Sequence, residues 1–197
     1  MNLDVRIHGR GGQGVVTAAE LVSLAAFDQG LHAQALPSFG SERTGAPVMA
    51  SVRISDKPIR SHDPVLRPDL VVVLDLTLLR DRAVLAGLPD DGTVVVNTNR
   101  DLADLVKGGL APGPTQRWVT VPANDLARQL LGRPLPNTAL VGAVAGITAL
   151  LEPEAVASAI RQRFAGLGQE VAEANVRLAE LARGLVMTRM RGSETHA

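Results

Sequence analysis

Residues 7–14 read Ile7, His8, Gly9, Arg10, Gly11, Gly12, Gln13, Gly14, an apolar strand passing into a glycine loop that opens a helix. Such a loop aims unpaired backbone N–H groups at one point, at the positive end of a helix dipole, and that arrangement suits a phosphate. Four glycines within residues 9–14 carry an entropic cost unless the backbone must turn left-handed or let something approach closely. Residues 9–15 are therefore the first place to look for a ligand.

Two common phosphate sites share part of this pattern. Gly9, Gly11 and Gly14 satisfy G-x-G-x-x-G between a strand and a helix, the context that the dinucleotide fingerprint requires. That fingerprint also needs an acidic residue at the end of the second strand to hold the ribose hydroxyls. Here the region reads Gln34, Ala35, Leu36, Pro37, with Asp28 still on the helix. Gly9 to Gly14 also has the spacing that begins a nucleotide triphosphate loop, but Val15 and Val16 stand where lysine and serine or threonine would contact phosphate and magnesium. The bland alternative is that the glycines serve only a tight turn and close helix–sheet packing.

Other chemistry is sparse. Cysteine is absent from the 197 residues, which removes disulfides, thiolate metal sites, cysteine nucleophiles and conventional iron–sulfur ligation. The four histidines His8, His32, His62 and His196 are scattered, and no G-x-S-x-G elbow occurs, so neither a metal cage nor a nucleophilic triad assembles. His8, beside the loop, either touches a ligand or is a hydrogen-bonded packing residue. Lys+Arg and Asp+Glu both number 20, and the aromatic residues are Phe27, Phe39, Trp118 and Phe164; without a basic footprint or stacking platforms, nucleic-acid binding is not expected.

Apolar runs alternating with helical patterns must position the loop. Strands are expected at Leu3–His8, Leu31–Leu36, Val48–Ile54, Leu70–Leu74, Thr93–Asn97 and Arg117–Val121, with a helix over Gln13–Gln29. This alternation predicts an α/β fold, a Rossmann-like, mostly parallel open sheet flanked by helices. Asp56, Lys57 and Pro58 read as a hairpin turn, which would make Val48–Ile54 the start of an antiparallel excursion. From Asn137 the chain becomes helical, over Asn137–Leu151, Pro153–Phe164 and Gln169–Met187. One domain over 1–190 and a polar tail over 191–197 are expected. The charge-free stretch Pro134–Leu151 contains prolines, glycines and Asn137 and reads as a buried helix, with no membrane span expected. Met1 leads directly into a charged strand, so no signal peptide is expected and the cytoplasm is the expected location.

A second polar loop, Phe39, Gly40, Ser41, Glu42, Arg43, Thr44, Gly45, Ala46, Pro47, follows the second strand. Together with His8 to Gly14, Thr17 and Ala18, it resembles the gamma subunit of the 2-oxoacid:ferredoxin oxidoreductases. Arg53, Ile54, Ser55, the Pro68 and Asp69 pair, and Pro136, Asn137, Thr138, Ala139, Gly142 and Ala143 fit the same pattern in order. Members of that family oxidise a 2-oxoacid with coenzyme A (CoA) to an acyl-CoA and carbon dioxide. They use thiamine diphosphate and [4Fe–4S] clusters and pass electrons to ferredoxin or another acceptor. This chain lacks the Gly-Asp-Gly and paired-asparagine signature for thiamine diphosphate, and it has no cysteine. The resemblance therefore implies that thiamine diphosphate, its Mg and the clusters sit on partner alpha, beta and ferredoxin-like delta-type subunits.

What the resemblance implies for this chain is a part in CoA binding without catalytic residues of its own. Gly11, Gly12, Gln13, Gly14 and Val15 would supply backbone contacts. Arg43 would meet a phosphate, or else pair with Glu42 or lie at an interface. Asn137 matches a ligand-side position and also has the profile of a helix N-cap. Asn175 matches a further position in the last helix, where the alternative is a solvated helical residue. Gly142 and Gly146 are expected to permit close helix packing. The rival readings are a free-standing NAD-binding dehydrogenase and a purely structural assembly subunit.

Overall fold

The computed structural model describes residues 1–38 and 45–194. Six strands, β1 (Asn2–Arg10), β2 (His32–Ser38), β3 (Pro47–Ser55), β4 (Leu70–Val73), β5 (Thr93–Asn97) and β6 (Arg117–Val121), form one sheet in the order β2-β3-β1-β4-β5-β6. The pairs β1–β4, β4–β5 and β5–β6 are parallel, whereas β3 runs antiparallel to both β1 and β2. The sheet is thus mixed. Helix α1 (Val15–Asp28) carries the chain from β1 to β2, leaving a gap one strand wide that β3 fills on its return.

The antiparallel excursion is therefore real, but the hairpin turn expected at Asp56–Pro58 is not its cause. After Ser55 the chain crosses to the far side of β1 without pairing before β4 begins. Pro58, Pro64 and Pro68 punctuate that crossing, and each lacks the N–H that a ladder needs.

Alternating residues send the two faces of the sheet to different layers. Val5, Ile7, Val52, Ile54, Leu70 and Val72 pack under α1 and the C-terminal helices. Val71, Val73, Val94, Val96 and Trp118 face a thinner layer containing Leu78 and Val84, from two 3-10 turns at Leu76–Arg80 and Arg82–Leu85. The connection after β1 covers one face and moves towards β2. The connection after β4 covers the other and moves towards β5. The chain thus changes direction between the carboxyl ends of β1 and β4, which opens a crevice there.

A short helix α2 (Leu102–Lys107) and α3 (Ala123–Leu131) precede α4 (Asn137–Thr148), α5 (Pro153–Phe164) and α6 (Gln169–Glu194). The last helix runs past the expected Met187. A Cβ on Gly142 would lie 2.0 Å from the carbonyl oxygen of Ala179, and one on Gly146 would lie 3.0 Å from that of Arg183. These two glycines let α4 press against α6, as their spacing predicts. Among the described residues, no helix is long and apolar enough to cross a membrane.

Candidate functional site

The glycine loop takes its shape from two left-handed residues, Gly12 at φ 91° and Gly14 at φ 80°. Gly14 is also the residue before α1, so the helix starts at Val15 and not at Gln13. The β1–β3 ladder ends at Arg10 opposite Pro47. Beyond it, the Gly11 N–H donates to the Ala46 carbonyl at 2.9 Å, which holds the glycine loop against the described end of the second loop. Because β2 and β1 both run antiparallel to β3, their carboxyl ends lie at one sheet edge, where the glycine loop, Ser38 and the start of β3 at Pro47 are found.

Not every N–H in the loop is available to a ligand. The Gly11 N–H is engaged by Ala46 and the Gln13 N–H by the Arg10 carbonyl at 3.0 Å. The N–H groups of Gly12, Gly14 and Val15 take no partner among the described residues. They border an open cavity of about 540 Å³, which Arg10, Thr17 and Asn137 also line. A second cavity, of about 430 Å³, lies near Asp69, Asp91 and Arg117 at the opposite edge of the sheet, where the sequence carries no ligand motif.

Asn137 is brought to the loop from more than a hundred residues away in sequence. It is not the N-cap of α4: Pro136 holds that place, Asn137 is the first helical residue, and no side chain caps the helix. Its side chain is 2 % exposed and so close to Gly14 that a Cβ on the glycine would lie 2.6 Å from Nδ2. That Nδ2 has no acceptor among the described residues. Behind it, the Thr138 hydroxyl donates to Asn175 Oδ1 at 2.9 Å, and Asn175 Nδ2 donates to the Val171 carbonyl at 2.8 Å. Asn175 is buried, neither a solvated residue nor a lining residue of the cavity. It braces the start of α4 through Thr138.

A carboxylate that the sequence motifs did not single out organises the other side of the loop. Asp75 follows β4 and accepts four hydrogen bonds: from Arg10 Nε at 3.0 Å, Gln13 Nε2 at 3.3 Å, the Thr77 N–H at 3.0 Å and the Thr77 hydroxyl at 2.6 Å. Arg10 also donates from Nη1 to the Gly45 carbonyl at 3.1 Å and from Nη2 to Thr77 Oγ1 at 2.9 Å. Gln13 Oε1 accepts from the Arg10 N–H at 2.8 Å. Burial alone would push the Asp75 carboxyl up, but the Thr77 hydroxyl and N–H, Arg10 and Gln13 outweigh it and hold its pKa below the ordinary carboxylate value.

His8 points away from the cavity, beside the buried Arg6, whose Nε donates to His8 Nε2 at 3.0 Å. Burial and the Arg6 cation lower its pKa to about 4, with Asp81 partly opposing them. It is a neutral packing residue.

The family profile described as pyruvate ferredoxin/flavodoxin oxidoreductase matches residues 4–185. The chain belongs to this family. Its gamma-type subunits are the relatives it is similar to. A pyruvate/ketoisovalerate oxidoreductases common subunit gamma from Thermococcus kodakarensis is 47 % identical over 174 residues, 87 % of this chain and 92 % of the relative. A pyruvate synthase subunit PorC from Methanothermobacter thermautotrophicus is 45 % identical over 173 residues, 87 % of this chain and 91 % of the relative. The crystal structure of the pyruvate oxidoreductase subunit PORC from Thermotoga maritima superposes with a TM-score of 0.81 at 37 % identity, covering 93 % of this chain and 96 % of that one.

In this gamma-type subunit, the candidate residues fall into three groups. Gly12, Gly14, Val15 and Asn137 converge on the cavity with Gly11, Gln13 turns its side chain to the Asp75 cluster, and Asn175 stands one layer behind. Arg43 lies outside the described residues. Asp75 and Thr77 belong to no sequence motif: the dinucleotide pattern has its acid after the second strand, whereas the acid at this sheet edge follows β4.

Proposed function

We propose that this gamma-type subunit holds the phosphate portion of CoA at the glycine loop of a thiamine diphosphate-dependent 2-oxoacid oxidoreductase. The complex converts a 2-oxoacid and CoA to an acyl-CoA and carbon dioxide, and two electrons pass to ferredoxin or another acceptor. The observation that carries the reading is the amide of the buried residue Asn137, which lines the cavity without an acceptor among the described residues, set beside the unpaired N–H groups of Gly12, Gly14 and Val15. Four uncommitted donors converging on one cavity at a helix N-terminus favour an anionic, oxygen-rich ligand.

This chain has no thiolate to hold a cluster, so the [4Fe–4S] clusters belong to partner subunits, as do thiamine diphosphate and its Mg. Those partners are alpha, beta and ferredoxin-like delta-type subunits, assembled in the cytoplasm. When bound there, the thiamine carries the carbon chemistry. The residues of this chain bind and orient CoA and exclude water from it. Arg43 adds a guanidinium from the second loop, suited to a phosphate by its bidentate donors.

The test is the CoA dependence of the assembled complex. Gly12→Val and Arg43→Ala should each raise the KM for CoA more than the KM for the 2-oxoacid. An intact complex with unchanged CoA dependence overturns the proposal.

A further inference from the structure

The described lining of the cavity contains one charged side chain, Arg10. Backbone N–H groups alone offer only partial charges, so the formal charge opposite a bound phosphate must come from Arg10 or from outside the described residues. Arg10 is committed in a particular way. Its Nε goes to Asp75, and one N–H on each of Nη1 and Nη2 goes to Gly45 and Thr77. A guanidinium has five N–H groups. One on each terminal nitrogen remains without a partner among the described residues, on a side chain that is 35 % exposed.

We infer that Arg10 is a cation of the glycine loop itself that pairs with a CoA phosphate, and that Asp75 is its positioning residue. The inference rests on the CoA reading above and deepens it. Asp75 meets Arg10 at Nε, which leaves an uncommitted N–H on each terminal nitrogen. Thr77 and Gly45 fix the rotation of the plane from either end. The same carboxylate takes the Gln13 amide, and Gln13 returns a bond to the Arg10 N–H. The side chain and backbone of Arg10 are therefore set by one cluster. A long side chain held in this way has lost its rotamer freedom before the ligand arrives, so less affinity is spent on ordering it.

The sign of the Asp75 effect separates positioning from simple electrostatics. A carboxylate near an anion site repels the anion, so removing it would tighten binding if charge alone mattered. Positioning requires the opposite.

The experiment uses the complex purified with its partner subunits and measures the KM for CoA and for the 2-oxoacid in Arg10→Gln, Asp75→Ala and the double variant. Arg10→Gln should raise the KM for CoA about 10-fold or more, the scale of a lost charge-assisted contact, with the KM for the 2-oxoacid held within about 2-fold. Asp75→Ala should raise the KM for CoA in the same direction but by less. In the Arg10→Gln background, Asp75→Ala should add little, because a residue that acts through another loses its effect when that other is gone. The KM of the unaltered complex for CoA should rise with salt, and Arg10→Gln should flatten that dependence, which loosened packing would not do.

The inference is overturned if Asp75→Ala tightens CoA, if the two substitutions are additive, or if Arg10→Gln leaves the CoA dependence intact while Gly12→Val weakens it. If Gly12→Val and Arg43→Ala also leave it intact, the CoA reading itself fails and this inference falls with it.

Discussion

Asn137 Nδ2 occupies the space beside Gly14 that any larger residue would need: a Cβ built on the glycine would lie 2.6 Å from that nitrogen and 2.8 Å from the Asn137 side-chain carbon. Two constraints therefore coincide at one position. The left-handed backbone of Gly14 starts α1, and its missing side chain admits the first residue of α4. The loop and the helix are built around each other, which is why a residue so distant in sequence lines the same cavity.

Gly14→Ala should accordingly weaken CoA binding and lower stability together. The left-handed angle alone costs a non-glycine residue about 1–2 kcal/mol, and displacement of Asn137 adds to it. Gly12 is also left-handed, but a Cβ there would meet nothing within 4 Å, so Gly12→Ala should carry the strain without the collision. Urea midpoints and the KM for CoA of both variants check this. Equal effects at the two glycines would rule out the shared packing with Asn137.

The loop, the later strands and the common edge of the two polar segments were legible because each is a local pattern. Thr93–Asn97 and Arg117–Val121 are apolar runs bounded by breakers, and they form β5 and β6 at those limits. Asn175 was not: the resemblance offers it as a CoA contact, or else it is a solvated helical residue, whereas it is buried on a face shared with Ala172, Val176 and Ala179 and accepts from Thr138. Nor was the insertion of β3 between β2 and β1, since alternation within a strand does not say which strands lie beside it. Asp75 was hidden for the same reason. Its partners Arg10 and Gln13 are more than sixty residues away, and only the sheet order brings β4 next to β1.

Thr138→Val tests the support behind Asn137. The substitution keeps the shape of the side chain but removes the hydroxyl that donates to Asn175 Oδ1, leaving a buried oxygen without its donor. A loss of about 1–3 kcal/mol is expected, read from chemical unfolding. Thr138→Ser, which restores the hydroxyl, should recover part of it. An unchanged midpoint in the valine variant would remove Asn175 from the support of the site.

Gly142→Ala should be among the most disruptive single-methyl additions in the chain. The new carbon would sit 2.0 Å from the Ala179 carbonyl oxygen and 2.6 Å from its carbon, both backbone atoms that cannot turn aside. Helix α4 would have to move off α6, at a cost of about 1–3 kcal/mol or more. At Gly146 the nearest atom is the Arg183 carbonyl oxygen at 3.0 Å, so Gly146→Ala should cost less. Thermal or urea unfolding of the two variants side by side checks the order. A reversal would contradict the α4–α6 geometry.

His8 makes the stability of the fold depend on pH in a defined window. Its folded pKa is lowered to about 4 from an ordinary value of 6.5, so the unfolded chain takes up the proton first as pH falls. Between those values the unfolded state binds more protons, and stability declines with acidification. The contribution of neutral His8 is fully present above pH 6.5, is lost as the pH falls towards 4, and changes no further below that. The shift corresponds to a ceiling on the order of 3 kcal/mol. The physical cause is local. A protonated Nε2 could no longer accept from Arg6 Nε, and it would place a second cation beside a buried guanidinium whose Nη2 is already tied to the Val84 and Ala86 carbonyls at 2.9 and 2.7 Å. His8→Gln retains an acceptor and cannot take up a proton in this range, so urea unfolding between pH 4.5 and 7.5 should show a flatter dependence for the variant than for the unaltered chain. Asp75, whose carboxyl is held below its ordinary value, also loses its contribution on acidification, but beneath the His8 window, so the two slopes separate along the pH axis. An identical slope in His8→Gln would mean that His8 does not titrate as its surroundings require.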